Sequence, residues 1–168
     1  KMLQEGAIDF GVISTPIQRR MDFKFRKVRD IQDIFVAGKK FEYLAERQLS
    51  YKDLETLPVM CLEGNTSTRA YVEGFLRENG VHLQPEFELA TSDMLIRFAM
   101  RGFGIAGVAE DFALEAMEKG EIFRLHFDRE IPKRHFCIVT DEKVPMTAAA
   151  RRFLNLLEDK CTHDKHKT

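Results

Sequence analysis

One stretch limits the folds open to this chain more than any other. An apolar run, Val59-Met60-Cys61-Leu62, leads into the turn Glu63-Gly64-Asn65, the hydroxyl triad Thr66-Ser67-Thr68, Arg69 and a helical run from Ala70 to Asn79. That order is a strand, a tight turn and a helix start crowded with side-chain oxygens. Such oxygens can cap the helix by accepting from its first free amides. Amides left over can instead point at an anion, assisted by the helix dipole. A strand feeding directly into a helix belongs to α/β architectures, whose ligands collect at strand ends beside helix starts. On these residues alone, capping and ligand cradling both stay open.

The rest of the chain repeats the theme. Lys1 to Glu5 reads as a helix tail that Gly6 ends, and Ala7 to Ile13 alternates like a strand closed by Ser14-Thr15-Pro16. Met21 to Val28 and Ile31 to Ala37 are further strand candidates, with Gly38 ending the second. Phe41 to Arg47 suits a short helix, and Ser50 suits an N-cap for Tyr51 to Leu57. After the central stretch, Gly80 closes one helix. A strand is expected over Pro85 to Ala90, and Thr91-Ser92-Asp93 then starts a helix ended by Gly102. Gly104 to Val108 is a small apolar strand and Glu110 to Lys119 a helix ended by Gly120. Ile122 to Phe127 and His135 to Thr140 are strands, and Thr147 to Asp159 a final amphipathic helix. Strands alternating with helices predict a mostly parallel sheet with helices on its faces.

Length and charge narrow the function. The chain has 168 residues, enough for one large domain or two small lobes, and is 44% hydrophobic and 32% charged. With 26 basic against 27 acidic residues it carries a formal charge of −1, which gives no general attraction to nucleic acid or to an anionic membrane. No apolar run reaches the roughly 18 residues of a membrane helix. Cys61, Cys137 and Cys161 make no disulfide framework, and the first two sit in apolar runs, which points to a reducing, cytoplasmic setting.

Six segments in order resemble one family. Leu3-x-x-Gly6-x-Ile8-Asp9-Phe10-Gly11-Val12-Ile13 is similar to the "L-x-x-G-x-L-D" strand of the effector-binding domain of LysR-type transcriptional regulators. Leu54-x-x-Leu57-Pro58-Val59-Met60 resembles that domain's crossover, and Thr68-Arg69 ahead of Phe75 its "t-R-x-x-x-x-x-f" segment. Arg101-Gly102-Phe103-Gly104-Ile105-Ala106, Gly120-Glu121-Ile122 and Ala149-Ala150-Arg151-Arg152-Phe153-Leu154 resemble three later segments. The chain departs from the pattern at Ala109, where a proline is usual, and at Lys39-Lys40-Phe41, where "h-P-L-A" is usual.

The resemblance implies a periplasmic-binding-protein type II fold, two α/β lobes with a ligand cleft and two crossover strands. The first lobe would hold residues 1–57 and 125–168, and the second 58–124. The DNA-reading helix-turn-helix, and the first strand and helix of the effector domain, would lie upstream. DNA would be met only through that upstream domain, and the full-length protein would form a homodimer or homotetramer.

On that reading a small anionic or zwitterionic effector is held by Asn65, Thr66, Ser67, Thr68 and Arg69 on one lobe and by Ser14 and Thr15 on the other. No catalytic residue, metal or cofactor is expected. A micromolar effector needs about 8 kcal/mol of binding free energy. One hydrogen bond nets roughly 0.5–1.5 kcal/mol, or about 1.5–3 kcal/mol when charged, so one helix start is insufficient. At Thr91-Ser92-Asp93 plain capping is the stronger reading, because Asp93 already complements the dipole and would repel a carboxylate. Arg97 and Arg101, four apart, read as a solvated face. Gly102, Gly104 and Gly107 have dinucleotide-loop spacing, yet they start at a helix end and run through a strand, the reverse of the fingerprint. Cys161, His163 and His166 lie in a polar tail rather than a metal site. Two other classes share the fold: a solute receptor of a transport system, and a dehydratase-like enzyme with Glu63 as general acid.

Overall fold

The computed structural model describes residues 1–16 and 23–163, with side chains through residue 157. Met21 and His166, and the side chains of Cys161 and His163, therefore lie outside the described parts. The chain divides into two compact units, residues 1–30 with 134–168, and residues 31–133.

The second unit is built on a five-stranded sheet of order β6-β5-β7-β3-β8. Its strands are β3 (Asp33–Gly38), β5 (Val59–Leu62), β6 (Phe87–Leu89), β7 (Ile105–Ala109) and β8 (Ile122–Arg124). β5 runs parallel to β6 and β7, while β3 runs antiparallel to both β7 and β8. The sheet is thus mixed, which corrects the expectation of a mostly parallel one. Parallel neighbours need a crossover that carries the chain back over the sheet. Here α1 (Ser67–Glu78) follows β5 and α2 (Ser92–Met100) follows β6, whereas β3 precedes these crossovers.

Alternation along the strands explains two cores. Phe35 and Ala37 of β3, Val59 and Cys61 of β5, and Ile105 of β7 face one side, under Val72 and Leu76 of α1. Ile34 and Val36, Met60 and Leu62, and Ala106 and Val108 face the other, under Leu95, Ile96 and Ala99 of α2 and Ala113 and Ala116 of α3 (Glu110–Glu118). The period of two along a strand sends alternate side chains to opposite faces. Both faces are covered, so β3, β5 and β7 read as unbroken apolar runs rather than as polar alternation. Close packing dictates one glycine: a Cβ on Gly38 would collide with the Ala99 carbonyl at the end of α2.

The boundaries expected at 57/58 and 124/125 fall inside this unit. β3, expected in the first lobe, is hydrogen-bonded between β7 and β8. The two short 3₁₀ helices, Lys39–Leu44 and Tyr51–Glu55, stay with it, contributing Phe41, Leu44, Tyr51 and Leu54 to the first core. Ser50 starts the second of them, with its amide and hydroxyl donating to Asp53 Oδ2 at 2.7 and 3.1 Å. β4 (Gln48–Leu49) and β9 (His126–Phe127) form a separate parallel pair, so the strand expected over Ile122 to Phe127 is divided in two.

The first unit carries β1 (Gly11–Ser14), β2 (Lys24–Ile31) and β10 (Arg134–Thr140) in the order β1-β10-β2, with α4 (Ala148–His163). Thr147 starts α4: its Oγ1 accepts from the Ala150 amide at 3.3 Å. Asp9 holds Thr147 in turn, accepting from its amide at 2.7 Å and its hydroxyl at 3.0 Å. Phe10 stacks on Phe153 of α4 at 5.6 Å between ring centroids.

Candidate functional site

The central stretch folds as a strand–turn–helix junction. Thr66 is the N-cap of α1 with extended backbone, and its Oγ1 accepts from the Arg69 amide at 3.2 Å. The same hydroxyl donates to the Glu63 carbonyl at 3.1 Å, and the Thr66 amide donates to that carbonyl at 3.1 Å. One side chain thus closes the turn and caps the helix. Asn65 and Ser67 stand exposed on the junction, and Thr66 and Thr68 are half-buried. No acidic residue occupies the first turn of α1. α2 carries Asp93 in its first turn, and α3 carries Glu110 and Asp111. Thr91 caps α2 by accepting from the Met94 amide at 3.3 Å, as its sequence suggested.

Arg69 lies deeper than an effector clamp would. Its side chain is 6% exposed. Nη1 donates to the Leu62 carbonyl at the end of β5 at 3.0 Å, and Nη2 meets Glu73 at 2.6 Å and Glu88 at 3.2 Å. Burial opposes the charge, but the Glu73 hydrogen bond, with the field of Cys61, Glu73 and Glu88, more than offsets it and raises the guanidinium's pKa. Arg69 therefore ties together β5, α1 and β6, with its own Nε left buried and without a hydrogen-bond partner. Both terminal nitrogens are engaged by the protein, which makes this residue a brace for the junction. The Glu73 partner was open to sequence reasoning, since residues four apart on a helix share a face. Glu88 was not, because only strand pairing brings β6 beside β5.

Beneath the junction, Cys61 is buried, and desolvation pushes its thiol up to about 11 against the pull of Arg69. A thiol held protonated in this way is a poor nucleophile and metal ligand. Among the described residues no group of three or more His, Cys, Asp and Glu is arranged to hold a metal ion. Glu63 is exposed, and its backbone continues the ladder by donating to the Leu89 carbonyl at 3.1 Å. The three glycines of dinucleotide-like spacing have packing roles. Gly102 takes a positive φ of 72° after α2, Gly104 approaches the Pro58 carbonyl, and Gly107 lies against the Phe35 ring.

Ser14 and Thr15 belong to the other unit. Ser14 ends β1 opposite Phe136 of β10. The Thr15 amide donates to the His135 carbonyl at 2.9 Å, and the His135 amide donates back to Thr15 Oγ1 at 2.9 Å. The threonine hydroxyl so extends the ladder by one step, at a point where Pro16 supplies no amide.

Comparison with known proteins decides the family. The model of the LysR substrate binding domain matches residues 1–162. The chain belongs to that family. Its fold is likewise that of solved LysR regulatory domains. The regulatory domain of CcmR from Synechocystis PCC6803, in complex with 2-PG, superposes with a TM-score of 0.79 at 17% identity, covering 93% of this chain and 74% of that one. The effector-binding domain of QuiR in complex with shikimate gives 0.78 at 10% identity, covering 98% and 76%. HinK, a LysR family transcriptional regulator from Pseudomonas aeruginosa, gives 0.72 at 15% identity, and this chain spans 55% of its length. No curated protein matches the sequence. The fold is periplasmic-binding-protein type II-like, and the family is that of ligand-sensing domains of regulators rather than transport receptors. No helix among the described residues is long and apolar enough to cross a membrane.

Proposed function

We propose that this LysR substrate-binding domain takes a small anionic or zwitterionic effector at the start of α1 and relays its presence to helix-turn-helix domains elsewhere in a full-length regulator. The observation that carries the reading is the α1 junction. Thr66 caps it through the Arg69 amide, its first turn is free of acidic side chains, and Asn65 and Ser67 lie exposed on it. The dipole at such a helix start favours negative charge, and no carboxylate in that turn competes for it. Thr66, Thr68 and Arg69 belong to the site in different ways. Thr66 and Arg69 shape the cradle, while Asn65, Ser67 and Thr68 are its contacts.

Ser14 and Thr15 are assigned to the same effector on the family resemblance. In this reading the lobes follow the two units, with edges near 30/31 and 133/134, because the five-stranded sheet holds β3 and β8 together with β5 and β7. The domain acts by binding and not by turnover, works in the cytoplasm, and assembles as a homodimer or homotetramer in the full-length protein, which alone meets DNA.

A thermal-shift screen of small carboxylates and amino acids tests the assignment. The expected result is a hit whose affinity falls in both Thr66→Ala and Ser14→Ala. A hit bound by both variants as tightly as by the parent chain refutes the site, and turnover of the hit by the domain refutes the non-enzymatic reading.

A further inference from the structure

A cavity lies wholly within the second unit, between the start of β3, Tyr51 and the segment from β8 to Ile131. It has a volume of about 200 Å³, and Phe35, Tyr51, Phe127 and Ile131 give it apolar walls while Arg124 and Arg129, with Asp33 and Glu130, line it with charge. Tyr51 and Phe127 stack almost face to face, with centroids 4.4 Å apart and planes 4° from parallel. The Tyr51 hydroxyl donates to the Arg129 carbonyl at 2.9 Å, Phe75 meets the Tyr51 ring edge-on and Phe35 tilts against Phe127, so the pair offers the cavity its ring edges. Arg124, with a side chain 30% exposed, is gripped on two sides: Nη1 by Glu110 at 3.0 Å and Nη2 by Glu130 at 2.6 Å.

The two carboxylates are not equivalent. Glu110 is 33% exposed and opens α3, whereas Glu130 is 68% exposed and sits in the segment between β9 and β10. An exposed ion pair contributes little to stability, so Glu130 is the partner that a competing carboxylate can displace. The volume falls below the roughly 300–1,000 Å³ of sites for drug-sized ligands, and so selects a small occupant. An apolar wall beside one exchangeable guanidinium position defines its chemistry.

We propose that this cavity is a second binding site, for a small monocarboxylate with an aromatic or branched apolar body. The ligand's carboxylate replaces Glu130 on Arg124 Nη2, and its body lies against the edges of Tyr51 and Phe127. The cavity walls include Phe35 and Ile131, which lie close in sequence to the two points where the chain leaves the unit, at 30/31 and 133/134.

Calorimetric titration with phenylacetate tests the proposal, with acetate and phenethylamine as controls for the apolar body and the sign of charge. The expected result is phenylacetate binding at roughly millimolar Kd, with acetate and phenethylamine silent. Glu130→Ala removes the competitor and should tighten phenylacetate severalfold. Arg124→Gln should weaken it about tenfold or more, the loss expected of a charged hydrogen bond. Ser67→Ala, at the α1 junction, should leave it unchanged. Intermolecular NOEs from the phenyl protons should reach the rings of Tyr51 and Phe127. Absence of phenylacetate binding to the parent chain, weaker binding by Glu130→Ala, or loss of binding in Ser67→Ala overturns the proposal. So does an Arg124→Gln protein that folds and binds as the parent does.

Discussion

Thr66 and Thr15 carry the same hydroxyl and were singled out for the same reason, yet the protein wires them differently. Thr66 bonds to residues three positions away, closing its own turn and capping its own helix. Thr15 bonds to His135, 120 positions away, and serves as a rung of a sheet. Behind Thr66 stands a buried arginine that joins two strands and a helix. Behind Thr15 stands a strand whose residues are half-exposed, with Val12 at 56%. A hydroxyl-rich segment thus says little about how firmly it is held. The long-range partners decide that, and they differ between the two units.

Four substitutions can break or sharpen this contrast. Arg69→Met should have the largest effect, since it strips the buried partner from Glu73 and Glu88 and from the Leu62 carbonyl. Glu73 and Glu88 are 30% and 48% exposed and can hydrate once Arg69 is gone, so the cost is about 1.5–3 kcal/mol, the worth of a charged hydrogen bond, to be read from denaturant midpoints. An effect below about 1 kcal/mol, the scale of an exposed pair, would show that Arg69 is no brace.

The Cys61 thiol gives a pH-dependent check on the same junction. Its folded pKa of about 11 lies above the ordinary value of 9.0. The buried neutral thiol thus contributes stability that is complete below pH 9 and is lost as pH rises toward 11, a range in which the unfolded chain has already released that proton. At 1.36 kcal/mol per unit the loss is about 2–3 kcal/mol. Cys61→Ala should be flatter than the parent chain in this window, and parallel profiles would contradict the burial argument.

Thr66→Ala should cost about 1 kcal/mol, the usual worth of a cap, and should speed amide exchange in the first turn of α1. Thr15→Val should cost roughly 0.5–1.5 kcal/mol, with faster exchange at His135 instead. If either variant loosens the other's amides, the two hydroxyls belong to one cooperative structure and the contrast fails.

Much of the fold could be read from local signals. The stops at Gly80, Gly102 and Gly120 take the positive φ that ends helices, and Thr66 and Thr91 cap as expected. Sheet direction was not legible, because β3 gains its neighbours β7 and β8 from residues about seventy and ninety positions on, and periodicity carries no partner information. For the same lack, the division into compact units at 30/31 and 133/134 was not legible either. At the α1 junction the strand, turn and cap were legible and the partners of Arg69 were not. Arg69 looked available because Glu88 reaches it only through the β5–β6 pairing. Arg124 drew no attention as a binding residue, since Glu110 and Glu130 flank it only after β8 joins β3.

The central claim is that an effector binds at the exposed side of the α1 junction, outside the cap. Calorimetric titration of the effector found by screening, against Asn65→Ala and Ser67→Ala, tests it most directly, because both side chains are exposed and the cap bonds to Glu63 and Arg69 are made by the Thr66 hydroxyl. The account predicts a folded protein and a Kd raised about two- to tenfold per variant, the worth of one hydrogen bond. Unchanged affinity in both variants, with folding intact, would contradict it.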